Sequence, residues 1–434
     1  MENNIVFFWF RRDLRLEDNT ALFHALDSGF MVIPVFIFDE AILANLSKND
    51  GRITFIHSTL QKINSELQLL GSSLLIKKGN PTDVWKELLR KYSCQKLFLN
   101  RDYEPYALKR DQEITTIFES EKIPVITYKD QVIFEKNEIL KKDNTPYTIY
   151  TPYKNQWLKL FDEEQFLKPK DTSKLFHNFF KKIFNFPSLE DIGFEKSSIN
   201  VVPYKISDLS NYDAIRDFPA LDKTSYLSPY LRFGQISIRA VVKHALKANK
   251  VFLGELIWRE FFMQILFHFP KVVTSNFRNK YDAVQWRNNQ AEFEKWCKGE
   301  TGYPLVDAGM RQLNKTGYMH NRARMITASF LCKHLLIDWR WGEAYFAEKL
   351  LDYELSSNNG NWQWAAGTGC DASPYFRIFN PTEQLKKFDK NLIFIKKWVK
   401  DFDELSYPQP IVDHKFARER ALEAYKRSRN MVQH

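Results

Sequence analysis

Only four cysteines stand in the 434-residue chain, Cys94, Cys297, Cys332 and Cys370, and no two of them form a C-x-x-C pair. That spacing signals neither a zinc site nor a redox dithiol, and it suits a reducing compartment. The apolar run Ile5 to Phe10 is too short for a signal-peptide core and is followed at once by Arg11, Arg12 and Asp13. No later stretch approaches the roughly 20 uncharged residues of a membrane span. A soluble cytoplasmic protein is expected. Glycine signatures are equally scarce. There is no G-x-x-x-x-G-K-[ST] loop, and Gly367 and Gly369 lack the third glycine and the preceding strand of a dinucleotide fingerprint. A P-loop enzyme, a standard Rossmann oxidoreductase and a nucleophile elbow are all unsupported. Repeats, low-complexity tracts and heptads are missing as well.

What the chain does have is aromatic content of 15% and a basic balance of 63 − 53 = +10, with a pI near 9.1. The excess charge raises the odds of a polyanionic partner such as nucleic acid. Through about residue 130, short apolar runs alternate with amphipathic stretches. Ile5 to Phe10, Met31 to Phe38, Leu74 to Lys77, Lys96 to Asn100 and Pro124 to Tyr128 read as strands, and Ile53 to Leu70 and Pro81 to Tyr92 as helices. Continuous apolar strands separated by helices imply a doubly wound parallel sheet covered on both faces. Residues 131–204, rich in Lys, Phe, Pro and Ser without a sustained period, read as a long connector. From 205 to 434 the pattern is helical. The expected fold class is therefore an α/β N-terminal domain, 1–130, followed by an all-α C-terminal domain, 205–434.

The chemistry concentrates in the helical half. Glu255, Trp258, Arg259 and Phe262 fall at i, i+3, i+4 and i+7, on one helix face. Met319 to Met325 sets an amide, two arginines and a thioether within two turns. Asn358 to Trp364 leads through Gly367 and Gly369 to Ser373-Pro374-Tyr375-Phe376-Arg377. Taken singly, the Glu255 helix is explained as well by an interdomain ion-pair face, and each tryptophan by core packing.

Read together, these pieces resemble the photolyase and cryptochrome family, most closely the class I cyclobutane pyrimidine dimer photolyases. The likeness runs from Trp9-Phe10-Arg11-Arg12-Asp13-Leu14-Arg15 to Tyr407-Pro408-Gln409-Pro410-Ile411-Val412-Asp413-His414. It implies FAD in the helical domain and an enzyme that repairs ultraviolet-damaged DNA, a blue-light electron passing from reduced FAD to a flipped-out dimer. A monomer is expected. The alternative is a photosensory cryptochrome that signals through a partner without repair.

By this resemblance, FAD falls to Tyr212, to Thr224, Ser225, Tyr226, Leu227 and Ser228, whose hydroxyls and helix N-terminus suit a diphosphate, and to Asp352, Tyr353 and Glu354. Glu354 stands where the family usually has Asp. Asn358 matches the residue beside flavin N5, where an amide adds no negative charge and so favours repair over signalling. The dimer pocket is assigned Glu255, Trp258, Asn321, Met325 and Trp364, with the tryptophans stacking on pyrimidine rings and Glu255 on the base edge. Met325 in place of a histidine, with His320 earlier in the motif, ranks the cyclobutane dimer above the (6-4) lesion. DNA contact is assigned to Arg216, Arg259, Phe262, Arg322, Arg377 and Gln384. Trp362, Trp339 and Trp286 match the family's electron-transfer chain, with Trp341 as an accessory. A second, antenna chromophore is open in identity, and Ala107 in place of a carboxylate disfavours folate.

Overall fold

The computed structural model describes residues 3–431 except residue 208. Five strands form one parallel sheet: β1 (Asn3–Phe10), β2 (Met31–Asp39), β3 (Leu75–Gly79), β4 (Ser93–Asn100) and β5 (Val125–Tyr128), in the order β3-β2-β1-β4-β5. β1 is central and pairs β2 from Ile5 opposite Met31 to Phe10 opposite Phe36. Its six apolar residues are continuous because both faces are covered. Val6, Phe8 and Phe10 enter one core and Ile5, Phe7 and Trp9 the other, with the period of two that a strand imposes. The helices α1 (Thr20–Leu26), α2 (Gly51–Leu69), α3 (Pro81–Lys91) and α4 (Pro105–Ser120) follow strands in sequence, and this is the doubly wound layout expected. Asn80 caps α3 by accepting from the Thr82 N–H, and Pro81 sits at its first position.

Chain contacts divide the molecule into two compact units. The first holds residues 1–138, 157–204 and 227–247, and the second 139–156, 205–226 and 248–434. The stretch 227–247 belongs to the sheet unit through charge. Arg239 pairs with Asp18 and Asp130, both at 2.9 Å, and Arg15 reaches Asp130 at 2.6 Å. Asp130 is almost fully buried. Within the same stretch Gly234 has φ +64° and lies so close to the Arg12 backbone that a Cβ would overlap its carbonyl.

The connector is more regular than its composition suggests. It contains α5 (Tyr150–Leu160), whose buried residues Tyr150, Tyr153 and Trp157 fall at i, i+3 and i+7. In the helical unit, α6 (Lys250–His268), α7 (Pro304–Thr316), α8 (Asn321–Ser329), α9 (Trp339–Lys349) and α10 (Leu355–Ala366) build the part that matters for the site. Much of it surrounds a core containing Trp296, Trp339 and Trp362.

Candidate active site

Three helices of the second unit enclose a cleft of about 620 Å³ of empty space. α8 begins on His320, whose Nδ1 accepts from the Arg322 N–H at 3.1 Å. Burial first, then Arg324 and Arg322, pull the imidazole down to about 4, so it is a neutral cap rather than a proton donor. From that start Asn321, Arg324, Met325 and Ala328 occupy i, i+3, i+4 and i+7 and all face the cleft. Asn321 and Met325 touch through amide and sulfur at 3.9 Å.

α10 begins on Glu354, whose carboxylate accepts from the Ser357 N–H at 2.9 Å and from the Ser356 hydroxyl. The extra methylene at this position is thus used as a helix cap, with both oxygens engaged. The helix then presents Asn358, Asn361, Trp362 and Ala365 to the cleft, and Trp364 lines it as well. The Asn358 Nδ2 donates to the Glu343 Oε1 at 2.8 Å and to the Glu343 carbonyl at 3.1 Å. With the nitrogen so used, the hydrogen-bond network assigns the Asn358 carbonyl oxygen to the cleft. Burial pushes the Glu343 carboxyl above its ordinary value, opposed by the bond from Asn358. Across the space, Arg324 pairs with Asp352 at 2.9 Å and lies over the ring of Tyr318.

The rest of the expected lesion set lies on α6. Arg216 donates to Glu255 at 2.6 Å and covers Tyr212, which meets Phe252 edge-on. Trp258 is half-buried and stacks on Tyr150. Phe262 is placed differently from expectation. It is 5% exposed, and a Cβ on Gly360 would overlap its ring, so it packs α6 against α10 and does not face DNA. Arg259 is half-buried on the same helix. Arg322 pairs with Asp217 at 2.6 Å and lies 4.1 Å over Phe388, while Arg377 is exposed. The Gln384 Oε1 is buried without a hydrogen-bond partner.

Residues 6–172 match the family model described as DNA photolyase, and 252–406 the model described as the FAD binding domain of DNA photolyase. Among relatives, the deoxyribodipyrimidine photo-lyase of Escherichia coli K12 is 37% identical over 97% of this chain and 98% of its own. That of Agrobacterium fabrum is 36% identical over 97% of each. This chain belongs to the DNA photolyase family. A class III photolyase structure from Agrobacterium tumefaciens superposes with TM-score 0.88 at 33% identity, covering 99% of this chain and 98% of that one. A photolyase from Sulfolobus tokodaii, described as holding two FAD molecules and implying a novel light-harvesting cofactor, gives 0.81 at 34%, covering 98% and 100%.

Family membership makes FAD the group to test against the geometry. The cleft joins polar groups, Arg324, Asp352 and Asn358, to apolar ones, Met325, Trp362 and Trp364, the mixture a cofactor pocket uses. The Thr224 Oγ1 is buried with no hydrogen bond of acceptable geometry, although the phenols of Tyr226 and Tyr318 lie beside it. A buried hydroxyl of this kind is a place for a missing acceptor or donor. The residues present therefore fit the cofactor, with Arg324, Asp352, Tyr353 and Asn358 around the cleft. One expectation needs correction. The apolar helix after Thr224 is the five-residue turn Ser228–Arg232, with Leu227 at its cap making no side-chain bond, so its dipole is small. Any diphosphate site must then rest on side chains and local N–H groups, Ser225 among them. Glu354 lines the cleft and at the same time caps α10.

Of the tryptophans, Trp362 and Trp339 are buried in one core and Trp286 packs against it. Trp362 meets Phe346 at 4.9 Å and Trp296 at 6.1 Å, and Trp339 donates to the Asn276 Oδ1 at 2.8 Å. Trp341 packs on Phe293 at 5.2 Å, against the same core.

In the sheet unit, the carboxyl ends of β1 and β4 flank the point where strand order reverses, the usual ligand crevice of such sheets. Here it is lined by Arg11, Arg12, Asp13, Asn100, Asp102 and Asp130, among others, and encloses about 230 Å³. Arg11 pairs with Asp111, and Arg12 with Asp102 at 3.1 Å and Glu104 at 2.9 Å. Ala107 is buried in α4, and the neighbouring Tyr106 hydroxyl donates to Asp39 at 2.6 Å.

Sequence reasoning passed over Glu343, Tyr150 and Asp217, and left Arg324 out of the site. Arg324 had a signal, its i+3 spacing from Asn321. The other three are known only from what they touch.

Proposed function

We propose that this chain is a deoxyribodipyrimidine photo-lyase, a light-driven repair enzyme for cyclobutane pyrimidine dimers in DNA that binds FAD. The observation that carries this reading is one shared space. Asn321, Met325 and Trp364, suited to a dimer, line the same cleft as Arg324, Asp352 and Asn358, suited to a cofactor. The four free thiols support a cytoplasmic home.

Bound FAD supplies, on absorbing blue light, the single electron that opens the cyclobutane ring and is afterwards returned. The protein's part is to bind, orient and shield. Asn358, its nitrogen held by Glu343, offers an acceptor with no negative charge beside the cofactor. Arg216 neutralises Glu255 and orients it to hydrogen-bond the edge of a base. Trp258 and Trp364 provide stacking surfaces, and Met325 a polarizable wall. Arg216, Arg259, Arg322 and Arg377, with Gln384, hold the strand, so a lesion already weakened in stacking is flipped at a cost of a few kcal/mol. Trp362, Trp339 and Trp286 form the path by which electrons enter from outside.

The deciding experiment irradiates an oligonucleotide carrying a thymine dimer with blue light in the presence of the FAD-loaded, reduced protein. Absorbance near the thymine maximum should return in the light and not in the dark. No return in either condition would remove the repair reading.

A further inference from the structure

Tyr150, the first residue of α5, is held at three points. Its ring stacks on the Trp258 indole with centroids 3.7 Å apart and planes 9° from parallel. Its hydroxyl donates to the Gly254 carbonyl at 2.6 Å, and its backbone N–H donates to the Asp371 Oδ2 at 3.0 Å. Phe261 closes on it edge-first at 5.9 Å. Gly254 immediately precedes Glu255 and lies one turn before Trp258 on α6, so one tyrosine grips the helix at Trp258 and one turn earlier, beside Glu255. The two rings are not equivalent. Tyr150 is 8% exposed, whereas Trp258 keeps part of its surface open. The tyrosine is the buried plate and the indole the outward one.

An indole on a helix flank has two side-chain torsions to fix, and ordering them costs entropy if it happens only when a ligand arrives. Parallel overlap at this spacing fixes the plane beforehand. The hydroxyl also keeps its proton through the neutral range, since burial and then Glu255 push it above the ordinary phenol value. Its bond to Gly254 therefore does not switch with pH.

We propose that Tyr150 is a positioning residue of the lesion pocket, backing Trp258 so that its indole presents a fixed plane to the paired pyrimidine rings of a flipped-out dimer. This rests on the reading of Trp258 as a stacking residue. Undamaged DNA, which offers no flipped base pair, gains nothing from the plane, so the contribution appears as selectivity.

The test uses the full FAD-loaded chain with Tyr150→Leu, Tyr150→Phe and Trp258→Ala. Binding is measured to one oligonucleotide with and without a thymine dimer, together with FAD content and repair yield per absorbed photon. Tyr150→Leu should weaken dimer binding about two- to tenfold, the scale of one aromatic pair, with undamaged binding and FAD content unchanged. Tyr150→Phe, which keeps the ring, should restore dimer binding to within about twofold. Unchanged dimer binding in Tyr150→Leu beside impaired binding in Trp258→Ala overturns the positioning role alone. Unchanged binding in both overturns it together with the pocket reading beneath it. Equal loss on damaged and undamaged DNA, or loss of FAD, makes Tyr150 a packing residue and also overturns the proposal. Should Tyr150→Leu fail to fold, Tyr150→His, a smaller ring with less overlap, carries the same comparison.

Discussion

The strand-end crevice of the sheet unit and the cleft of the helical unit both draw on arginine, carboxylate and amide side chains, and come out opposite. In the crevice, guanidinium and carboxylate groups bond to one another: Arg11 to Asp111, Arg12 to Asp102 and Glu104, Arg15 and Arg239 to Asp130. About 230 Å³ is left. In the cleft, Arg324 and Asp352 pair at 2.9 Å and Glu343 takes up only the nitrogen of Asn358, leaving about 620 Å³ between them. Charge that is satisfied internally closes a space, and charge that props up its walls keeps it open. The lesson is that ion-pair content says little about a ligand site until each partner is known.

If the crevice pairs are structural, cutting one should cost stability before anything else. Asp130→Ala leaves Arg15 and Arg239 buried without their shared carboxylate, and urea unfolding should show a loss of about 3–5 kcal/mol. A loss below about 1 kcal/mol would break the comparison at its firmer end. In the cleft the reverse is expected. Asn358→Asp sets a second carboxylate beside Glu343, and like charges this close disfavour ionisation of both. Folding should survive, while repair yield per photon falls. Quantum-yield measurement on the purified, FAD-loaded variant checks it.

DNA contact should separate two arginines that the sequence treats alike. Neutralising Arg377 should make the salt dependence of lesion binding shallower by about one phosphate contact. Arg322 already holds Asp217 at 2.6 Å, so Arg322→Gln should change the slope by less. Binding titrations at several salt concentrations give both slopes, and equal changes would mean that Asp217 lets go on binding. The smallest effect is in pH. Burial alone would raise Asp130, but Arg15 and Arg239 outweigh it and hold the carboxyl at about 2. Its contribution is complete above the unfolded value near 4 and is lost as pH falls through about 2. Glu343 is raised instead, so its contribution is present below its unfolded value and fades as pH rises through the folded one. Stability profiles of Asp130→Asn and Glu343→Gln against the parent should therefore diverge in opposite directions.

The sheet was legible because β1 is apolar at every position from Ile5 to Phe10, and only a strand covered on both faces uses all six of those residues. On α8, Asn321 and Met325 were found by resemblance, while Arg324 and Ala328 of the same face were not. Phe262 was misread because period alone cannot tell a helix face turned to DNA from one turned to Gly360. The capping role of Glu354 was missed, although Ser356 and Ser357, two and three residues on, are its partners. The partners Glu343 and Tyr150 carry no local signature, since each acts across a fold-dependent distance: 15 residues to Asn358 and 104 from Tyr150 to Gly254.

Arg239 has a consequence for how the protein is made. It meets Asp130 across 109 residues of chain, and the whole segment 227–247 belongs to the sheet unit. At synthesis rates of about 5–20 residues per second, Asp130 waits on the order of 5–20 seconds for its second arginine to be translated. During that interval the nascent sheet carries a half-neutralised carboxylate while pieces of the helical unit are already emerging. A ribosome stalled before residue 239 should hold a sheet unit that proteases cut more readily than the finished one, so its completion is gated by translation as well as by packing.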